Sequence, residues 1–80
     1  MIAKIFIVPK NGILDPKGKA ISNSLISLGF NEVLDVKFGK YMEIKINNIS
    51  KEEAKNRVRD MCDKLLANKI IEDYRFDIEI

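Results

Sequence analysis

From Val33 to Ile46, "VLDVKFGKYMEIKI", six apolar residues share even positions. Leu34, Val36, Phe38, Met42, Ile44 and Ile46 carry that phase, while Asp35, Lys37, Glu43 and Lys45 are odd. A period of two marks a half-buried strand. The phase survives Gly39-Lys40, which limits what can happen there. A two-residue hairpin loop would pair Val36 with Glu43 and place charge on the apolar face. A three-residue loop, Gly39 to Tyr41, pairs Phe38 with Met42 and keeps the faces apart. One long strand bent at Gly39 does the same, so both arrangements stay open.

Ile2 to Val8 also reads as a strand, with β-branched Ile5, Ile7 and Val8 and aromatic Phe6. Ile5 and Ile7 point one way, Phe6 and Val8 the other. Both faces then need cover, as in a central strand or one packed on another chain. A last strand is expected where Tyr74, Phe76, Ile78 and Ile80 alternate with Arg75, Asp77 and Glu79. Ile21, Leu25 and Leu28, at i, i+4 and i+7, predict a helix over 16–28, with Gly29 as its stop. Ala54, Val58, Met61 and Leu65 predict a second helix, with Cys62 and Leu66 beside the stripe. Ser50 and Glu53 form a capping box at its start, and Asn68 can close it in a left-handed conformation. The order β-α-β-(β)-α-β implies an α+β fold. Two helices cover one face of a small, mainly antiparallel sheet of three to four strands.

Eighty residues make one small domain, 1–80. Such a chain buries only about 60% of its unfolded surface, so outside support matters. The single cysteine, Cys62, excludes an intrachain disulfide, and the lack of histidine leaves little for zinc. Oligomerisation is the expected support: a homodimer or a higher assembly. Net charge is +2 from 14 basic and 12 acidic residues, a balance that does not advertise nucleic acid or membrane. "MIAKIFIVPK" is too short to span a bilayer and lacks the layout of a signal peptide. With a lone thiol, the expected compartment is the cytoplasm.

"NGILDPKGKA", Asn11 to Ala20, superficially resembles a phosphate-binding loop. Five residues rather than four separate Gly12 from Gly18-Lys19, and Ala20 replaces the hydroxyl that would hold Mg²⁺. Pro16 lacks an N–H, and Asp15 would repel phosphate. A capped helix start explains the stretch better: Asp15 as N-cap, Pro16 at the first helical position. Gly18 costs about 1 kcal/mol relative to Ala inside a helix, which suggests a close backbone or subunit. Cys62 has no histidine to activate it and reads as a small buried hydrophobe. Glu52-Glu53 and Glu72-Asp73 lie in charged, solvated stretches. Gly39, Lys40 and Tyr41 make either a polar functional turn or a simple bend with Tyr41 on the sheet edge. No catalytic, cofactor or metal constellation assembles from these residues.

Three segments together resemble a known family: "LDPKGKAI" at Leu14 to Ile21, "VLDVKFGKYMEI" at Val33 to Ile44, and "MCDKLLANKIIEDYRFDIE" at Met61 to Glu79. In order and spacing they resemble PurS, the small subunit of bacterial and archaeal phosphoribosylformylglycinamidine (FGAM) synthase. Lys69 departs from the pattern, where Pro or a small residue is expected. The resemblance implies a non-catalytic subunit in purine biosynthesis. The complex converts formylglycinamide ribonucleotide, glutamine and ATP to the amidine. A glutaminase subunit (PurQ) releases ammonia, and a synthetase subunit (PurL) binds ATP and Mg²⁺. PurS pairs with itself, bridges the two and assists ammonia transfer. The expected contact residues are Phe6, Ile7, Asp15, Pro16, Gly18, Gly39, Lys40 and Tyr41, and no cofactor is expected on this chain. The competing reading is a stand-alone ferredoxin-like module that senses a ligand or binds RNA.

Overall fold

The computed structural model describes residues 1–80. Strand β1 is Ile2–Pro9, helix α1 Pro16–Ser27, strand β2 Lys40–Lys45, helix α2 Lys51–Met61, and strand β3 Glu72–Glu79. The sheet order is β2-β1-β3, and both pairings are antiparallel. β1 is therefore central in the sheet, one of the two arrangements expected of it. Register sets Phe6 opposite Tyr41 and Arg75, and Ile5 opposite Met42 and Phe76.

The odd positions of β1 build the core. Ala3, Ile5 and Ile7 are fully buried in one cluster with Val58 of α2, Cys62 and Ala67, and Ala54 of α2 is buried as well. Met42, Ile44, Tyr74, Phe76 and Ile78 pack around it from the flanking strands. Ser50 starts α2 as expected, its Oγ accepting the Glu53 N–H at 3.0 Å. Beyond Met61 the helix widens into a π turn, Cys62–Leu66, in which the Ala67 N–H donates to the Cys62 carbonyl at 3.1 Å. The buried row is thus Ala54, Val58 and Cys62, four residues apart, while Leu65 is left outside. Asn68 takes no left-handed conformation. The helix ends instead by Ala67 turning extended, and Asn68 Oδ1 accepts the Ile70 N–H.

Residues 33–39 join no ladder, so neither the hairpin nor one continuous bent strand forms. The Phe38 N–H is claimed by Asp15 rather than by a neighbouring strand. Leu34 is 97% exposed, its alternation having no partner within the chain.

The α+β class and the small antiparallel sheet with two helices are as expected, but α1 does not join the core. It contributes only Gly18 to the buried set, and Ile21 and Leu28 of its apolar row are exposed. The helix is nonetheless well formed. Gly29 turns left-handed at φ 100°, and the Gly29 and Phe30 N–H groups donate back to Ile26 and Leu25 in a Schellman stop. The outcome is an elongated body, 49 × 25 × 14 Å. Its radius of gyration is 15.9 Å, where a compact chain of this length has about 12 Å. Its accessible surface is 6026 Å², against roughly 4,900 Å² for a compact protein of this mass.

Candidate functional site: a groove where α1 meets β2

The start of α1 is clasped to the chain before β2. Asp15 uses both carboxylate oxygens: Oδ1 accepts the Gly18 N–H at 3.1 Å, and Oδ2 accepts the Phe38 N–H at 2.9 Å. Pro16 occupies the first turn, where its missing N–H costs nothing. An added Cβ at Gly18 would collide with the Val36 carbonyl oxygen and the Asp15 carboxylate. One at Gly39 would strike the Ile7 carbonyl oxygen. Each glycine therefore answers to a backbone of its own chain. The helix start also offers no phosphate cradle, because Asp15 already fills the place an anion would take.

This clasp forms one wall of an open groove of about 510 Å³. Leu14, Pro16, Lys17 and Phe38 line it, with Lys40 and Glu72 closing the far side. Lys17 Nζ lies 5.1 Å from the Phe38 ring centroid, and Lys40 Nζ is 3.4 Å from Glu72 Oε2. Glu72 Oε1 accepts the Asn68 N–H at 2.8 Å. That hydrogen bond, and then Lys40, hold the Glu72 carboxyl below its ordinary value near 4.5. Its pKa is lower folded than unfolded, so its stabilisation is fully present above the unfolded value. The contribution fades as pH falls through the folded value. Glu72→Gln should therefore flatten the acid limb of the stability–pH curve below about pH 4.5, as read by urea unfolding across that range.

The sequence-expected contact residues divide three ways. Asp15, Pro16, Gly39 and Lys40 meet at the groove, with Gly18 buried behind it. Phe6 and Tyr41 lie together on the opposite, open face of the sheet, their ring centroids 4.9 Å apart. Ile7 must be corrected. It is fully buried under α2, because odd positions of β1 face the core, and it offers nothing to a partner. Lys17, Phe38 and Glu72 were missed. Lys17 and Phe38 flank expected positions, but no spacing links Lys40 to Glu72, which meet only through β1.

On the open face the Phe6 ring is partly covered by its own chain. The Arg75 guanidinium lies 4.0 Å from its ring centroid, and Tyr41 covers one side. Tyr41 donates to Glu43 Oε2 at 2.6 Å, and Lys4 pairs with Glu79 at 3.0 Å. Lys4, Lys45 and Arg75 share this face with Glu43, Asp73, Asp77 and Glu79. The acids outnumber the bases and the Phe6 ring is already occupied, which is unsuited to stacking and neutralising RNA.

Cys62 is buried, and burial first, then Asp63, pushes its thiol up. That suppresses the thiolate a nucleophile needs. Iodoacetamide should label it slowly in the native protein and fast in urea. Cys62→Ala should cost about 1–2 kcal/mol in unfolding free energy and leave partner binding intact.

A family model described as "PurS: Phosphoribosylformylglycinamidine (FGAM) synthase" matches residues 2–80. The PurS subunit of Bacillus subtilis is 46% identical over 76 residues, 95% of this chain and 89% of that protein. The crystal structure of Methanocaldococcus jannaschii PurS, a subunit of formylglycinamide ribonucleotide amidotransferase, is 40% identical. It aligns with a TM-score of 0.82 over 98% of this chain and 94% of that one. A chain of the PurLQS structure from Thermotoga maritima aligns with a TM-score of 0.79 at 25% identity, covering 96% of both chains. With residues 2–80 matched and the fold shared, the chain belongs to the PurS family of FGAM synthase subunits.

Proposed function

We propose that this chain is the structural small subunit of an FGAM synthase in purine biosynthesis. It pairs with itself, bridges a glutaminase (PurQ) and a synthetase (PurL), and assists the passage of ammonia between them. ATP and Mg²⁺ bind to the synthetase in this reading, and the compartment is the cytoplasm. No helix of the chain is long and apolar enough to cross a membrane.

The observation that carries the reading is the uncovered apolar surface of an extended protomer. The α1 row Ile21, Leu25 and Leu28, with Leu34 and Phe38, stands apart from the core. Apolar surface of this kind is normally hidden by association. The sequence expectation placed the need on one face of β1, either Phe6 and Val8 or Ile5 and Ile7; Ile5 and Ile7 are buried within the chain, and Val8 is exposed. The Thermotoga maritima relative occurs within PurLQS, which supports the same role here. Phe6, Tyr41, Asp15, Pro16 and Lys40 remain candidate contacts, on two separate surfaces, as a bridging subunit requires.

Co-expression of the chain with PurQ and PurL of its own organism tests the proposal. All three should elute together on size exclusion, and the chain alone should sediment as a dimer or larger. A monomer that binds neither subunit, with the ligands of the reaction present, would refute it.

A further inference from the structure

We infer that Asn11 is a modification site: the Asn11-Gly12 turn cyclises without an enzyme and converts Asn11 to aspartate and isoaspartate. This chemistry belongs to the chain itself and does not depend on its role in a complex.

Sequence and geometry meet at this turn. Asn11 is the only asparagine of the chain that precedes a glycine. Glycine has no Cβ, so its backbone nitrogen can swing onto the side chain before it. The Ile13 N–H donates to the Lys10 carbonyl at 3.2 Å and closes a β-turn, with Gly12 left-handed at φ 83°. Asn11 and Gly12 are both exposed. The Gly12 N–H donates to nothing in the chain, and the Asn11 side-chain amide has no hydrogen-bond partner either. A Cβ at Gly12 would meet nothing within 4 Å, so a five-membered ring has room to form there. Within the turn, only the long Ile13–Lys10 bond resists the rotation that closes the ring.

The Gly12 nitrogen, having lost its proton to hydroxide, attacks Asn11 Cγ. A Cγ–N bond forms, the Cγ–Nδ2 bond breaks, and the amide nitrogen takes up protons from water and leaves as ammonia. Water then opens the succinimide. Cleavage of the new bond gives aspartate. Cleavage of the original peptide bond gives isoaspartate, whose backbone runs through Cγ. One water is consumed and one ammonia released, with no oxidant or cofactor. Either product adds one acid to the 12 that face 14 bases, and net charge falls from +2 to +1. The isoaspartyl form also lengthens the backbone between β1 and α1 by one atom.

The other asparagines are held back. Asn23 precedes the small Ser24, but both lie inside α1, where the Ser24 N–H is tied into the helix. Asn56 lies in α2 with its Oδ1 on Arg59, and Asn68 Oδ1 accepts the Ile70 N–H. Asn31, Asn47 and Asn48 all precede residues that carry a Cβ.

The test ages the freshly purified full chain at mildly alkaline pH and follows it by isoelectric focusing and peptide mapping. Methyl transfer from S-adenosylmethionine by an isoaspartyl methyltransferase reports the rearranged product. Asn11 should convert at least roughly tenfold faster than Asn23, and faster still as pH rises. Asn11→Gln, which would have to close a larger ring, should keep its charge, take up almost no methyl label and unfold like the wild type. Equal rates at Asn11 and Asn23 would overturn the inference. So would an Asn11 that stays an amide in the folded chain while a peptide spanning residues 10–13 converts, or methyl uptake by Asn11→Gln equal to that of the wild type.

Discussion

Ile7→Lys should abolish folding, while Phe6→Lys, one residue away, should leave a folded chain. Ile7 is fully buried, in the core cluster with Ile5, Val58 and Cys62. Truncating a buried isoleucine costs about 2–5 kcal/mol before any charge is added. Holding an unpaired ammonium in the core costs several kcal/mol more. A domain of this size has roughly 4–12 kcal/mol of stability in total. The two costs therefore consume most or all of it. Phe6 lies on the open face, where its ring meets Arg75 and Tyr41. Replacing it loses those contacts and adds a third cation beside Lys4 and Arg75, at a cost of about 1–2 kcal/mol. Far-UV circular dichroism with urea unfolding separates the outcomes. A cooperative, native-like Ile7→Lys would show that the faces of β1 are reversed.

The second large effect lies at the clasp. Gly18→Ala should cost about 1–3 kcal/mol, because the new methyl meets a backbone carbonyl that is fixed by its own chain. Asp15→Ala should cost about 2 kcal/mol, for the loss of a helix cap and of a second bond to the Phe38 N–H. The two changes disturb one junction, so the double variant should lose less than their sum. Additive losses in urea unfolding would mean that the carboxylate and the glycine act separately.

How much of this was legible depends on the range of the interaction. The even-numbered phase of Met42, Ile44 and Ile46 fixed the inward face of β2, because sidedness follows from the strand period alone. The Ser50 cap, the Asp15 cap and the Gly29 stop were equally legible, since each is completed within a few residues. Periodicity does not say what an apolar row packs against. Ile21, Leu25 and Leu28 announced a buried face, and no local signal distinguished this sheet from another chain. Leu34, Val36 and Phe38 likewise alternate as a strand does, but alternation supplies no pairing partner. The groove was half legible. Asp15, Pro16, Gly39 and Lys40 stood out by local chemistry. The contacts that unite them, Asp15 with Phe38 and Lys40 with Glu72, span 23 and 32 positions and leave no trace in spacing. Gly18 signalled close approach correctly, and the approaching backbone belonged to the same chain; Gly39, read as a turn or bend, also lies against a backbone carbonyl, that of Ile7.

The most direct test of the bridging account compares two nitrogen sources. FGAM formation by PurL and PurQ is measured with glutamine and with ammonium salts, with and without this chain. The account predicts that glutamine-dependent synthesis needs the chain, while ammonia-dependent synthesis by PurL proceeds without it. Equal glutamine-dependent rates in its absence would contradict the account.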